Sequence, residues 1–331
     1  MKALLYKKYG PPEVLYLAEV AKPHAKADEI LVRVRAVEAT KSDCEMRRFR
    51  FAVNWFWLPL RLAAGLLRPR RQILGGYFSG EVVALGEQVK GFQVGDAVYG
   101  CTGLKFGAYA EFLTLSQRST LVPKPSRMSY AQASAVPLGG LNAYHFIELA
   151  ALQSGESILI NGAAGSIGAH AIQIAKAKGA RVVAVDAMHK RDFVMALGAD
   201  EFVDYQSQSL NSLSDTFDVV FDMVPGSSYG ALLRLLTSSG RYFCGNPRLI
   251  TMLRCTLTNL FSKRSASFAF ARETRAELRA LTELIEGGLV NPIVERVYAM
   301  EDAAIAHSRV EAEERVGALV LSFDPASANE L

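Results

Sequence analysis

Residues 157–168 read Ser-Ile-Leu-Ile-Asn-Gly-Ala-Ala-Gly-Ser-Ile-Gly, and no other stretch constrains the fold as strongly. An apolar, β-rich run opens into Gly162, Gly165 and Gly168, and an alanine-rich helical pattern follows through Lys178. Glycines let a backbone approach phosphate oxygens closely, and the unpaired N–H groups at a helix start face negative charge. The spacing is G-x-x-G-x-x-G, so the glycines alone carry little; their context carries more. The helix closes at Gly179, a second β-rich run covers residues 181–185, and Asp186 ends it, close to the ~20-residue offset of an acidic ribose ligand. The pattern predicts a βαβ unit that holds a dinucleotide diphosphate on Gly162, Ala163, Gly165, Ser166, Ile167 and Gly168.

At 331 residues the chain exceeds what one core ordinarily fills, which predicts two domains. A net charge of +4 is too small to imply a nucleic-acid partner. Cys44, Cys101, Cys244 and Cys255 are scattered, with no C-x-x-C. That excludes a disulfide framework or a cysteine-rich zinc knot and points to a reducing, cytoplasmic setting. No uncharged run reaches ~18 residues, so no transmembrane segment is expected, and the charged N-terminus reads as a strand of the mature fold.

Residues 1–125 are rich in short strands and turns. Residues 30–37 alternate apolar with basic side chains, and further strands are expected over 80–86, 95–100 and 107–114. From about residue 131 strands alternate with helices. Runs at 200–204, 217–222 and 240–244 extend a parallel, doubly wound sheet. The tail carries a helix over 276–286 and a last strand over 317–323 whose texture matches the first third.

One segment departs from this regularity. Residues 49–71, FRFAVNWFWLPLRLAAGLLRPRR, set aromatics and leucines against Arg50, Arg61, Arg68, Arg70 and Arg71. Such a stretch can lie on a membrane surface. The alternative is a helix or loop whose apolar side covers a cleft or a subunit neighbour; Pro59 and Pro69, which interrupt a long interfacial helix, favour it.

Taken in order, several motifs resemble those of the medium-chain dehydrogenase/reductase superfamily, in its zinc-free quinone oxidoreductase branch. They are Gly10-Pro11-Pro12-Glu13-Val14-Leu15, Gly91-Phe92-Gln93-Val94-Gly95-Asp96, Gly107-Ala108-Tyr109-Ala110-Glu111-Phe112, the glycine loop, and Leu197-Gly198-Ala199-Asp200 with Val203-Asp204-Tyr205. The resemblance implies an α/β protein. A GroES-like β-rich catalytic domain would span 1–125, completed by 272–331, with a Rossmann doubly wound parallel-sheet domain at 126–271. The zinc-ligand positions of the zinc alcohol dehydrogenases look here like Thr40, Gly76 with Tyr77, and Leu138, none of which offers a thiolate, imidazole or carboxylate. The expected metal set is therefore none. Without a Lewis acid, the chemistry left is hydride delivery to an already electrophilic carbon of a quinone or an α,β-unsaturated carbonyl.

By the same resemblance, Thr40 faces nicotinamide and substrate as the first catalytic candidate, with Tyr77 the second as donor or proton relay. Asn142, Gly245 and Asn246 occupy positions near the nicotinamide, and Tyr205 one that lines the adenosine pocket, unless it is a packed aromatic. Asp186 can accept from ribose hydroxyls and repel a 2′-phosphate, which leans to NADH. His189, Lys190 and Arg191 can neutralise that phosphate, or form a solvated helix start, so NADPH stays open. Lys41, Asp43 and Arg47 can bond around the cleft or be solvated. Relatives pair through the edge of the Rossmann sheet, so residues 246–270 are the expected homodimer contact. Substrate shape is expected to depend on residues 54–67 and 252–270. Two other readings stay open: an alcohol dehydrogenase with a remodelled metal site, and a non-catalytic dinucleotide-binding sensor or partner-binding protein.

Overall fold

The computed structural model describes residues 1–53, 55–269 and 272–330. Asn54 and Phe270, within the two substrate-shaping stretches, and residue 271 at the expected domain boundary lie outside the described residues. Strands β1 (Lys2–Tyr6) and β2 (Leu15–Glu19) form an antiparallel pair. Next come β3 (Glu29–Ala39), β4 (Tyr77–Leu85), β5 (Ala97–Cys101), β6 (Phe112–Ser116) and β7 (Leu121–Pro123). Residues 107–111 do not continue β6 as expected. Gly107 has φ +106°, which breaks the extended backbone, and the N–H groups of Gly107 and Tyr109 both turn back to Leu74 O.

The middle of the chain supplies β8 (Ser157–Asn161), β9 (Arg181–Asp186), β10 (Glu201–Asp204), β11 (Phe217–Asp222), β12 (Leu236–Cys244) and β13 (Ser265–Phe268). They run in parallel in the order β10-β9-β8-β11-β12-β13. In sequence order this is 3-2-1-4-5-6, the doubly wound arrangement whose reversal between the first and fourth strands opens a ligand crevice. Their central residues are apolar and buried, as expected of a parallel sheet covered on both faces. The edge strand β13 has no counterpart in the periodicity of the sequence.

Strands β14 (Val294–Ala299) and β15 (Ala318–Ser322) then return to join β3–β7 in one sheet, the first sheet, ordered β14-β15-β3-β4-β5-β7 with β6 also on β3; there β15 pairs antiparallel with β3 through Leu319 opposite Ala39. The two sheets share packing. Tyr99, Cys101 and Val122 belong to the same buried cluster as Leu141, Ile160 and Leu281, and Tyr99 Oη lies 2.7 Å from Thr282 Oγ1. Beneath the N-terminal strands, Arg47 is fully buried; it donates to Gly10 O, meets His307 Nδ1 at 3.0 Å and pairs with Glu311. It is neither solvated nor part of the cleft. Burial beside this guanidinium lowers the His307 pKa to about 3 and keeps the ring neutral. No helix among the described residues is long and apolar enough to cross a membrane.

Candidate active site

The glycine loop stands at the carboxyl end of β8. Gly162 takes φ +89°, and its N–H and that of Ala163 both donate to Val185 O, at 3.0 and 3.2 Å. Gly165 caps the helix Ser166–Ala177, so the first-turn amides of Ser166, Ile167 and Gly168 have no acceptor within the helix. A Cβ on Gly168 would stand 2.4 Å from Gly162 O and 2.5 Å from Ala163 O, so only glycine lets strand and helix approach this closely. The loop is also clipped to the other sheet: Gly317 N–H donates to Ala164 O at 2.9 Å. This is a preformed cradle for an anion, and it fits the diphosphate of a dinucleotide.

Asp186 ends β9 beside this loop and is buried. Its Oδ2 accepts from Ala164 N–H and its Oδ1 from Ala187 N–H, each at 2.8 Å. The adjoining cations divide. His189 and Arg191 are solvated, whereas Lys190 is buried, donates to Glu313 O at 2.8 Å and lies 3.5 Å from Asp186 Oδ1. Lys190 is thus tied to the backbone of residue 313 beside Asp186 and does not extend into solvent as His189 and Arg191 do. Tyr205 follows β10, its N–H reaches Asp186 O, and its ring is 54% exposed, which excludes a packed core aromatic. Across the crevice, Gly245 and Asn246 follow β12. Gly245 N–H donates to Asp222 O at 3.1 Å, and Asn246 Nδ2 to Met223 O at 3.0 Å. Asn142 lies inside the helix Val136–Leu149 and donates to Leu138 O.

The facing wall comes from the first sheet. Thr40 is the N-cap of the helix Lys41–Arg48; its hydroxyl donates to Asp43 Oδ2 at 2.6 Å and accepts from Asp43 N–H at 3.1 Å. The hydroxyl expected to touch substrate is therefore engaged as a helix cap. Asp43, left open between cleft and solvent by the sequence, is buried and ties the two sides of the wall, since its Oδ1 accepts Gly75 N–H at 2.9 Å. The signal was present as Thr-x-x-Asp ahead of a helix. Lys41 pairs with Glu313 at 2.5 Å. Tyr77 stands on the other side and donates its hydroxyl to Glu273 Oε1 at 2.7 Å. Burial, then the neighbouring Glu273 carboxylate, holds the phenol well above its ordinary pKa and so neutral. Cys44 is likewise kept a thiol, chiefly by burial.

A group that the sequence reading passed over lies behind the cradle. Glu38 on β3 is fully buried and neither carboxyl oxygen has a hydrogen-bond partner among the described residues. Burial raises its pKa to about 8, tempered by Arg315 and by Ser166 at the helix start. Ser166 Oγ and His170 Nε2 are also buried without a partner, while His170 Nδ1 lies 2.7 Å from Ser166 O.

Zinc does not fit this wall. Thr40 Oγ1 is held by Asp43, Gly76 has no side chain, and Leu138, on the helix Val136–Leu149, is apolar, so these three positions supply no donor set for that ion.

A six-stranded parallel sheet with a glycine cradle, faced by a β-rich wall, defines a dinucleotide-dependent oxidoreductase. Residues 26–126 match the alcohol dehydrogenase GroES-like domain, and residues 197–321 match the zinc-binding dehydrogenase family. The chain is 30% identical over 334 residues to 2-methylene-furan-3-one reductase of Solanum lycopersicum, covering 97% of this chain and 79% of that one. It is 28% identical, with the same coverages, to the chloroplastic NADPH-dependent alkenal/one oxidoreductase of Arabidopsis thaliana. The quinone oxidoreductase structure from Coxiella burnetii superposes with a TM-score of 0.87 at 28% identity, covering 98% and 99% of the two chains. The chain belongs to the medium-chain dehydrogenase/reductase superfamily, in its zinc-free quinone oxidoreductase-like branch.

Proposed function

We propose that this protein is an NAD(P)H-dependent, zinc-independent reductase of quinones and α,β-unsaturated carbonyls. The observation that carries the reading is the glycine cradle at Gly162–Gly168, together with Thr40, Gly76 and Leu138, which offer no metal ligands at the positions the resemblance assigns to zinc. Gly162, Ala163, Gly165, Ser166, Ile167 and Gly168 would hold the diphosphate, Asp186 and Tyr205 would border the adenosine ribose, and Asn142, Gly245 and Asn246 would border the nicotinamide. When bound, the cofactor supplies a hydride. An acceptor that is already electrophilic needs no Lewis acid; the protein orients it and stabilises the developing oxyanion.

Tyr77 is the better candidate for that donor, because it is neutral and carries a hydroxyl hydrogen that can turn from Glu273 Oε1 to the developing oxyanion, the proton that completes the product coming from solvent. Thr40 serves chiefly by ordering the helix start through Asp43. Our reading leans to NADH: a carboxylate ends β9, and the nearest cation, Lys190, is bound to Glu313 O. The two-unit division at residues 125 and 271, with the tail completing the first unit, agrees with the strand membership of the two sheets.

We also infer that two copies pair through the free edge of β13. The adjoining helix Leu249–Phe261 exposes Leu253, Leu257 and Leu260, and sedimentation velocity showing a monomer at micromolar concentration would refute the pairing. Four buried, unpaired cysteines agree with a cytoplasmic setting.

The test of the function is steady-state oxidation of NADH and NADPH, side by side, with 1,4-benzoquinone and a simple enone on protein assayed for zinc. Turnover without stoichiometric zinc is expected. Measurable cofactor binding with no turnover would replace this reading by the sensor, and stoichiometric zinc by the alcohol dehydrogenase.

A further inference from the structure

Between the two walls of the cleft the chain makes an excursion that the reductase chemistry does not use. It leaves the helix Lys41–Arg48 and returns at Gly75, and its central helix, Trp57–Ala64, has no buried residue. One side is anchored. The Arg61 guanidinium lies 4.0 Å above the Tyr9 ring and 4.4 Å above Phe49, and Tyr9 Oη donates to Gly65 O at 2.8 Å. The edge of Phe49 meets Trp57 at 5.8 Å. That anchoring sets which side faces out. Leu58 and Leu62, four residues apart and so on one face, are exposed, as are Trp55 before them and Leu66 and Leu67 after, Leu67 to 85%.

Charge defines what this surface fits. Between Glu45 and Glu81 the sequence has no aspartate or glutamate. Arg50, Arg68, Arg70 and Arg71 are exposed, and none forms an ion pair among the described residues. Arg68 shares a shallow concavity of about 730 Å³ with Lys7 and Lys8, where Glu13 is the one acid. A water-facing helix without function normally mixes both signs of charge; an exposed row of Trp and Leu rimmed by cations alone complements an anionic lipid surface.

We propose that residues 55–71, with Lys7 and Lys8, dock this protein on an anionic membrane surface, the leucines and Trp55 entering the interface and the cations meeting lipid phosphates. Pro59 sits in the first turn of the helix, where it costs no hydrogen bond, so it does not oppose an interfacial helix this short. The inference does not rest on the reductase reading.

Trp55 and Trp57 are the only two tryptophans of the chain, so selectively excited tryptophan emission reports this segment alone. The full chain is titrated with vesicles of phosphatidylserine in phosphatidylcholine, with phosphatidylcholine alone, and with brominated lipid in each. A blue shift with bromine quenching is expected on the anionic vesicles and is reduced by added salt. Replacing Arg68, Arg70 and Arg71 by Gln should weaken partition about 100-fold, from about fivefold for each cation near the surface. Leu58→Glu with Leu62→Glu should abolish the quenching while the thermal unfolding midpoint stays that of the parent. The proposal is overturned by an unshifted spectrum on anionic vesicles at low salt, or by undiminished vesicle binding in the Leu58→Glu/Leu62→Glu variant. A lipid-free blue shift that grows with protein concentration, alongside a doubled mass, also overturns it and assigns the face to a second copy.

Discussion

Glu38→Gln is the substitution whose consequence follows most directly from the geometry. The folded chain holds Glu38 without a hydrogen-bond partner at a pKa of about 8, against 4.5 in the open chain. Between those two values the folded state keeps a proton that the unfolded state releases. Stability is therefore full below about pH 4.5, falls as pH rises toward about 8, and is flat above it. The slope is about 1.4 kcal/mol for each pH unit, so near pH 7 Glu38 costs about 3 kcal/mol relative to acid conditions. Gln has the same shape and does not titrate. Near pH 5 the variant and parent should unfold together; near pH 7 the variant should be more stable by about 3 kcal/mol, or about 4 °C in thermal midpoint for a chain of this size. The assay is cofactor-free thermal unfolding of both proteins in matched buffers across that range. A difference in midpoint that stays constant from about pH 5 to 8 would refute the reasoning, because Glu38 would then be ionised in the folded state through a partner such as Arg315.

Gly168→Ala places a methyl against two backbone carbonyls that cannot retreat without opening the cradle. At least about a tenfold loss of dinucleotide affinity and roughly 1–3 kcal/mol of stability are expected, and unchanged affinity by nucleotide fluorescence would mean the diphosphate binds elsewhere. Tyr77→Phe removes the hydroxyl bonded to Glu273 and should lower kcat for an enone about 100-fold, leaving cofactor affinity intact. Equal kcat values would remove Tyr77 as the donor to the oxyanion. Thr40→Val should cost about 1 kcal/mol through the lost helix cap, with Thr40→Ser restoring it; a Ser variant as unstable as Val would contradict the capping assignment.

Much of the Rossmann half was legible because its signals are local. Gly162 needs a positive φ, Gly168 needs the absence of a Cβ, and the buried parallel strands are continuous apolar runs, all of which stand in neighbouring residues. The outline of the β-rich half was legible for the same reason. Its error at residues 107–111 came from reading the approach to β6 as extended where Gly107 turns the backbone. Strand β13 was missed because Ser265–Phe268 is short and irregular in pattern, and forms only against β12 and the helix before it.

The site divides along the same line. Sequence alone determined the cradle and the acid that ends β9, since each depends on residue type at a local position. Tertiary structure decided which polar groups are free. Thr40 is closed off locally, by Asp43 three residues on, whereas Lys190 looks available until a carbonyl 123 residues away holds it. Tyr77 finds its hydrogen-bond acceptor in a carboxylate 196 residues distant. Glu38 reads as an ordinary charge in a strand, and only the packing of β3 behind the glycine-loop helix removes its water and raises its pKa. Local conformation is set by short-range sterics that a linear pattern records, whereas hydrogen-bond partners and desolvation arise from contacts between distant segments and exist only once the chain has folded.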